Sequence, residues 1–306
     1  MIFLKKRKLG NSDLWVTELG LGCMSIGTEE KAAREVIETA LDEGINYFDT
    51  ADLYDFGENE KIVGTALKEV RDNVIIASKV GNRWKSDKSG WSWDPSKSYI
   101  KEAVKQSLKR LGTDYIDLYQ LHGGTIEDRI DDVIEAFEEL KAEGLIRYYG
   151  LSSIRPNVIR EYVQKSHIVS VMMQYSILDR RAEEETLPFL HEHGVSVVTR
   201  GPLAKGLLTD KMFKKVSQKG YQDYSQEELL NVLPALKDKL AGDRSFTEIA
   251  LQYNLAHPAV ASVIAGASSP EQVRANAHAI NSQSLTEDEI ALIKTISKTT
   301  LYKEHR

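Results

Sequence analysis

Six polar residues close six apolar runs along this chain: Asp49, Lys79, His122, Ser152, Gln174 and Arg200. Taken singly, each is an ordinary polar residue at a strand end. Asp49, Lys79 and His122 are harder to dismiss, because they end three runs in succession. Neighbouring strands lie about 4.8 Å apart, so these heads would crowd one rim. An aspartate and a lysine buried there must pair, since an unpaired buried charge is too costly. Tyr54 follows Asp49 by five positions in the stretch NYFDTADLYDFG, within reach of the same spot. These residue types suit proton transfer. A phenol, with an ordinary pKa of about 10, gives up its proton reluctantly at neutral pH. An ammonium beside it stabilises the phenolate. Asp49 would keep that ammonium charged and in place, and His122 could orient a carbonyl oxygen by a hydrogen bond. Such a group suits protonation of an oxyanion that forms as hydride reaches a carbonyl carbon. General-acid help of this kind contributes about 10²–10⁴-fold.

A scaffold must bring those strand ends together. Eight short β-rich runs cover 19–23, 45–49, 74–79, 116–122, 148–152, 169–174, 195–200 and 260–265. Between them lie amphipathic helical stretches. Ala33, Val36, Ile37, Ala40 and Leu41 recur at helical spacing before Gly44. Asp94 and Pro95 open a helix that stops at Gly112, and 131–143 is another, stopped by Gly144. Regular alternation of β and α predicts a parallel sheet. Eight repeats predict an α/β fold of the (β/α)₈ TIM-barrel type, one domain over 1–306, with an open doubly wound sheet as the rival. Runs at 4–9 and 14–16 flank Gly10-Asn11 and predict a hairpin that closes the barrel floor. Two long loops, 81–93 and 201–224, belong on the catalytic face. The first carries Trp84, Trp91 and Trp93, read as a pocket wall. The second carries Lys211, Lys214, Lys215 and Lys219, read as solvated.

Composition narrows the function classes. The net charge is −6, which argues against the basic face of a nucleic-acid binder. No run approaches eighteen apolar residues, so no membrane-spanning helix is expected. The start MIFLKKRKLG lacks a signal-peptide core. Cys23 is the only cysteine, which excludes an internal disulfide and suits a cytoplasmic protein. Gly20-Leu21-Gly22 hints at a dinucleotide fingerprint, but Ser25 stands where the third glycine belongs. These glycines are read as backbone of a tight barrel strand. His191 and His193 are two apart on a helix and point to different faces, so no metal ligation is expected. Cys23 and Met24 are read as core packing, with substrate contact as the alternative.

The segments FDTADLY, IIASKVG, LGTDYIDLYQLH, GLSS, MQYSILDR, GPLAKGLLT and ASVIAGASSPEQVRANAHAI occur in that order. Together they resemble the aldo-keto reductase superfamily over nearly the whole chain. The resemblance implies a cytoplasmic, NADPH-dependent (NADP+-forming) reduction of a small aldehyde or ketone, with no nucleic-acid or membrane partner. It assigns the catalytic tetrad to Asp49, Tyr54, Lys79 and His122, with Tyr54 as general acid. Ser152 and Gln174 would hold the nicotinamide carboxamide. The family often has asparagine after that serine, where this chain has Ser153. Arg200 stands where a tyrosine usually stacks on the ring. A guanidinium plane can also stack, although its charge opposes an oxidised ring. Pro202, Leu203, Lys205, Gly206 and Leu207 would cover the pyrophosphate. Gly266, Ser268, Gln272 and Asn276 would hold the adenosine end, with Ser269 and Arg274 as further donors and Glu271 as an opposing charge. One rival is an NADPH-binding regulatory subunit with slow turnover. Another is an aldolase-like barrel with Lys79 as Schiff base, which needs a lysine of depressed pKa. Asp49 argues against that, because a carboxylate raises the lysine pKa.

Overall fold

Period-two alternation sends every second strand residue to the same side of a sheet, and here it separates a barrel interior from a helix-covered exterior. The computed structural model describes residues 4–306. The chain begins with a hairpin of β1 (Lys6–Lys8) and β2 (Trp15–Thr17), paired antiparallel. The strands that follow are β3 (Leu19–Gly22), β4 (Tyr47–Asp49), β5 (Ile75–Val80), β6 (Asn82–Trp84), β7 (Trp91–Trp93), β8 (Ile116–Leu121), β9 (Ile146–Ser152), β10 (Ser170–Gln174), β11 (Ser196–Arg200) and β12 (Val260–Gly266). Strands β3, β4, β5 and β8 to β12 form a closed parallel barrel. Closure is made by β12 beside β3, from Val263↔Leu19 to Gly266↔Gly22, and this pairing excludes the open sheet. The helices are α1 (Glu30–Asp42), α2 (Glu58–Leu67), α3 (Lys97–Leu111), α4 (Ile130–Ala142), α5 (Pro156–Lys165), α6 (Thr186–Glu192), α7 (Gln226–Leu240), α8 (Phe246–Leu255), α9 (Pro270–Ile280) and α10 (Glu287–Ile296). Among the described residues, no helix is long and apolar enough to cross a membrane.

The floor is plugged as the sequence predicts. Leu9, Leu14 and Val16 from the hairpin join Tyr47, Ile75, Ala77, Leu118, Met172, Val198 and Ile264 in one buried cluster. Each Leu, Ile, Val or Met among them contributes about 1.5–3 kcal/mol by leaving water. Gly10 turns at φ +52°, and a Cβ there would stand 2.1 Å from the Val169 carbonyl oxygen, so the turn seats flush on the floor. Gly20 faces Ile264 and Tyr47 so closely that a Cβ would be 2.5 Å from Ile264 Cδ1. That accounts for the glycines of β3 as packing. The same inward face that carries Tyr47, Ala77 and Leu118 at the floor carries Asp49, Lys79 and Gln120 one layer up. The register sets Asp49 beside Ala77 and Lys79 beside Gln120.

Two local readings change, and one stretch gains elements that the sequence reading did not assign. Helix α3 starts at Lys97, not at Asp94-Pro95: Ser96 is its cap and accepts from Tyr99 N, while Asp94 accepts from Ser96 N. The loop 81–93 contains the hairpin of β6 and β7. The wide stretch before β12 holds two helices, α7 and α8, each opened by a reciprocal Ser–Glu cap, Ser225 with Glu228 and Ser245 with Glu248.

Candidate active site

Asp49, Lys79 and His122 meet because β4, β5 and β8 are neighbours and each ends on one of them or within one residue of it. Lys79 is fully buried and Asp49 is 3 % exposed. A lysine has three N–H donors, and all are used. Nζ donates to Asp49 Oδ1 at 2.6 Å, to the Thr50 carbonyl at 2.8 Å and to the Tyr54 hydroxyl at 3.2 Å. The Thr50 carbonyl escaped sequence reading, since a backbone acceptor leaves no trace in residue type. Tyr54 opens a short turn, Tyr54–Gly57, and its ring meets the His122 ring edge-on, centroids 6.0 Å apart at 84°. His122 lies one residue past β8, where its N–H donates to the Val80 carbonyl at 2.7 Å and its own carbonyl accepts from Asn82 Nδ2.

Electrostatics divides the roles. Burial lowers the His122 pKa, the charges of Lys79 and Arg200 add to this, and the group falls to about 3. The imidazole is therefore neutral throughout the physiological range, and its Nδ1 is buried without a partner. Burial works against the Lys79 charge, but Asp49 and Tyr54 outweigh it and hold the ammonium above its ordinary value. Burial pushes the Asp49 carboxyl up, and Lys79 opposes that push.

The group opens into a cavity of about 940 Å³ at the C-terminal mouth of the barrel. Trp91, Trp93, Met24 and Leu53 form one wall. Trp93 is fixed by Nε1 donating to Asp128 Oδ1 at 3.0 Å. Trp84 departs from the expectation. It lies outside this cavity, against Phe56 and the Arg110 guanidinium. Met24 is 64 % exposed at the wall, whereas Cys23 is core and burial raises its thiol pKa. The stretch Thr300 to His305, which no periodicity or motif announced, also lines the cavity. It is held by Asn157 N donating to the His305 carbonyl, by the Arg181 guanidinium over the Tyr302 ring and by Thr300 accepting from Arg180 N.

Ser152, Ser153 and Arg200 also line the cavity. Arg200 Nη1 donates to Gln174 Oε1 at 3.0 Å, and Gln174 Nε2 donates to Asp179 Oδ2 at 2.8 Å. Ser153 Oγ accepts from Arg155 N. Pro202, Leu203, Lys205, Gly206 and Leu207 follow on the loop after β11, outside the cavity wall, with Lys205 exposed in a left-handed conformation at φ +58°. Gly266 ends β12. Beyond it Ser268 donates by N and Oγ to Gln272 Oε1, and Ser269 caps α9. Asn276 is buried one turn further on, while Glu271 and Arg274 are exposed. The structure thus places Tyr54, Lys79, His122, Ser152 and Arg200 on one cavity, with Asp49 buried against Lys79 and not lining it, and leaves the remaining positions along the adjoining rim. Lys211, Lys214, Lys215 and Lys219 are exposed, and so are His191 and His193.

Comparison with known proteins agrees with this fold. The model of the Aldo/keto reductase family matches residues 18–298. A Bacillus subtilis (strain 168) protein described as uncharacterized oxidoreductase YqkF is 61% identical over 307 residues, covering 99% of this chain and 100% of its own. The holo form of aldo-keto reductase AKR11C1 from Bacillus halodurans superposes with a TM-score of 0.94 at 58% identity, over 99% of this chain and 100% of that one. The NADH-specific methylglyoxal reductase of Escherichia coli (strain K12) is 34% identical, over 91% of this chain and 94% of its own.

Proposed function

Since the chain belongs to the aldo/keto reductase family, an oxidoreductase class that uses nicotinamide cofactors, we propose that it reduces aldehydes or ketones to alcohols with NADPH and that Tyr54 is the general acid. The observation that carries this reading is the Lys79 ammonium held between Asp49 at 2.6 Å and the Tyr54 hydroxyl at 3.2 Å. When bound, the cofactor supplies the hydride. The chain's own residues handle the oxygen. Neutral His122 donates a hydrogen bond to the carbonyl oxygen and orients it. Tyr54 passes its proton to that oxygen as negative charge develops. Lys79 then stabilises the phenolate left behind, and buried Asp49 keeps the ammonium in place. Trp91, Trp93 and Met24 would shield the site from water.

Donor chemistry supports a dinucleotide along the rim. Ser152 and Gln174 would hold the carboxamide and Arg200 would lie against the ring. Pro202, Leu203, Lys205 and Gly206 would cover the pyrophosphate. Gly266, Ser268, Gln272 and Asn276 would take the adenosine end, beside the N-terminus of α9, whose dipole favours a phosphate. Exposed Arg274 is the donor that favours a 2′-phosphate, and Glu271 opposes it. The E. coli relative named NADH-specific makes this preference a property to test in each chain. A reducing compartment such as the cytoplasm suits the lone buried cysteine. The Schiff-base rival is disfavoured because Lys79 has a raised pKa and no free N–H. The regulatory-subunit alternative finds no support among the relatives.

The test is steady-state reduction of a panel of aldehydes and ketones with NADPH and with NADH, for wild type and Tyr54→Phe. Wild type should turn over a reactive aldehyde and bind NADPH at least about tenfold tighter than NADH, about 1.4 kcal/mol. Tyr54→Phe should bind NADPH normally yet lose about 10²-fold or more in kcat. Wild-type kcat in the mutant would refute the mechanism, and equal dissociation constants would refute the cofactor preference.

A further inference from the structure

The turn that carries Tyr54 is conformationally unfavourable. Asp55 (φ +48°, ψ 35°) and Phe56 (φ +52°, ψ 46°) are both left-handed, and Gly57 follows at φ +86°. Two successive side-chain-bearing residues in this region are rare, and such conformations persist only where the surroundings impose them. Around Phe56 and Gly57, contacts come from β6 and α3, on the outer side of the barrel.

There the Phe56 ring meets Trp84 edge-on, centroids 6.1 Å apart at 68°. The Arg110 guanidinium lies 5.2 Å over Trp84. Arg110 Nε donates to Glu60 Oε2 at 2.6 Å and Nη2 donates to Ser107 Oγ at 2.9 Å. Glu60, fully buried, accepts from Ser78 Oγ at 2.5 Å, and Ser78 precedes Lys79. The clamp closes directly on the turn: a Cβ at Gly57 would be 2.6 Å from both Arg110 Cδ and Trp84 Cη2. Trp84 and Arg110 border a separate surface cavity of about 710 Å³, and neither lines the catalytic one.

From this we infer that Trp84 and Arg110 are positioning residues for Tyr54. Their aromatic–cation stack presses on Phe56 and Gly57, holds the turn left-handed and so fixes the phenol hydroxyl beside Lys79. The Arg110–Glu60–Ser78 bonds anchor the same clamp to the strand that bears Lys79, so hydroxyl and ammonium share one frame. Misplacing a reacting group by about 1 Å can cost up to about 10²-fold in rate.

The inference rests on Tyr54 being the proton donor, and a double-mutant cycle separates the two claims. Trp84→Ala should lower kcat by about 10–10²-fold with reactive aldehydes, with KM and NADPH affinity changed less than about twofold. In a Tyr54→Phe background the same substitution should change the residual rate by less than about twofold, because there is no hydroxyl left to position. The solvent isotope effect on kcat should rise in Trp84→Ala as proton delivery becomes slower. If Trp84→Ala does not fold by circular dichroism, Trp84→Leu removes the stack while keeping bulk and carries the same expectations. Unchanged kcat, or an equal loss in both backgrounds, would overturn the positioning role. Full activity in Tyr54→Phe alone would overturn the proton-donor reading instead.

Discussion

The two sides of the barrel mouth are built on opposite principles. On the β4–β5–β8 side, the charges are buried, mutually bonded and fixed at strand ends, with Lys79 fully enclosed and Asp49 almost so. On the β11–β12 side, Arg200, Lys205, Ser268, Gln272 and Arg274 are exposed and sit at strand ends, on loops or on the start of a helix. Proton transfer gains from the first arrangement, because a desolvated, prepaid geometry needs no reorganisation during the reaction. Holding a cofactor that must also leave suits the second, where each contact is weakened by water and salt. The contrast teaches that equal-looking lysines on the two sides are unequal in consequence.

Lys79→Met against Lys205→Met is the sharpest way to break that contrast. Lys79→Met removes the ammonium between Asp49 and Tyr54 and strands a buried carboxylate. We expect kcat to fall by about 10²–10⁴-fold and stability to fall by about 3–5 kcal/mol, the scale for breaking a buried pair. Adding Asp49→Asn should recover part of the stability and none of the rate. Lys205→Met should leave kcat and stability unchanged and weaken NADPH binding by less than about tenfold at low salt. Kinetics and urea titration on the same samples read both. Comparable effects from the two lysines would abolish the distinction.

The second test uses pH, and concerns the buried side alone. Burial, Lys79 and Arg200 bring His122 from 6.5 to about 3. The unfolded chain therefore binds a proton near pH 6.5 that the folded chain refuses until about pH 3. Unfolding takes up that proton, so His122 makes the fold less stable as pH falls through this window, by up to roughly 1.4 kcal/mol per pH unit. Above the window it contributes no slope. His122→Gln should flatten that acid limb in chemical denaturation curves. Wild-type kcat should show no imidazole titration between about pH 5 and 8. An inflection near 6.5 that His122→Gln removes would contradict the neutral-imidazole assignment.

How legible each side was in the sequence follows from the same difference. Desolvated charge leaves a mark, a polar residue abruptly ending an apolar run, and Asp49, Lys79 and His122 all carry it. The barrel was legible for a related reason, since strand and helix periods repeat along the chain and the hairpin at Gly10-Asn11 is flanked by the runs 4–9 and 14–16. The exposed rim leaves no such mark. Ser268 or Gln272 on a loop is an ordinary surface residue by type, and only family resemblance singled them out. Trp84 was misassigned because three tryptophans in one loop look alike until long-range contacts decide where each ring goes, Trp93 to Asp128 and Trp84 to Phe56 and Arg110. The stretch Thr300 to His305 has neither period nor turn signal, and its place is set by long-range contacts to Arg180, Arg181 and Asn157. The helices α7 and α8 were not read from the sequence, although Ser225 with Glu228 and Ser245 with Glu248 form a capping signature, which apolar periodicity alone passes over.

The smallest expected effect belongs to Arg200, which acts on both sides. It bonds Gln174 on the rim, and its charge helps depress His122 in the buried group. On the proposed reading its guanidinium lies against the nicotinamide ring. Stacking would favour oxidised and reduced rings about equally, whereas charge would disfavour only the cationic oxidised ring. The ratio of NADP+ to NADPH dissociation constants therefore isolates the charge. Arg200→Leu should lower that ratio, tightening NADP+ relative to NADPH. An exposed charge is worth about 0.2–1 kcal/mol, so the shift should be about 1.4- to fivefold. Gln174 keeps its bond to Asp179 in the variant, so the carboxamide contact should survive. Fluorescence titration of both cofactor forms at two salt concentrations reads the ratio, and the shift should shrink as salt rises. If both forms weaken together, stacking accounts for Arg200. If the ratio moves and screens with salt, the exposed rim takes part in setting the direction of the reaction, a task that buried geometry would otherwise perform alone.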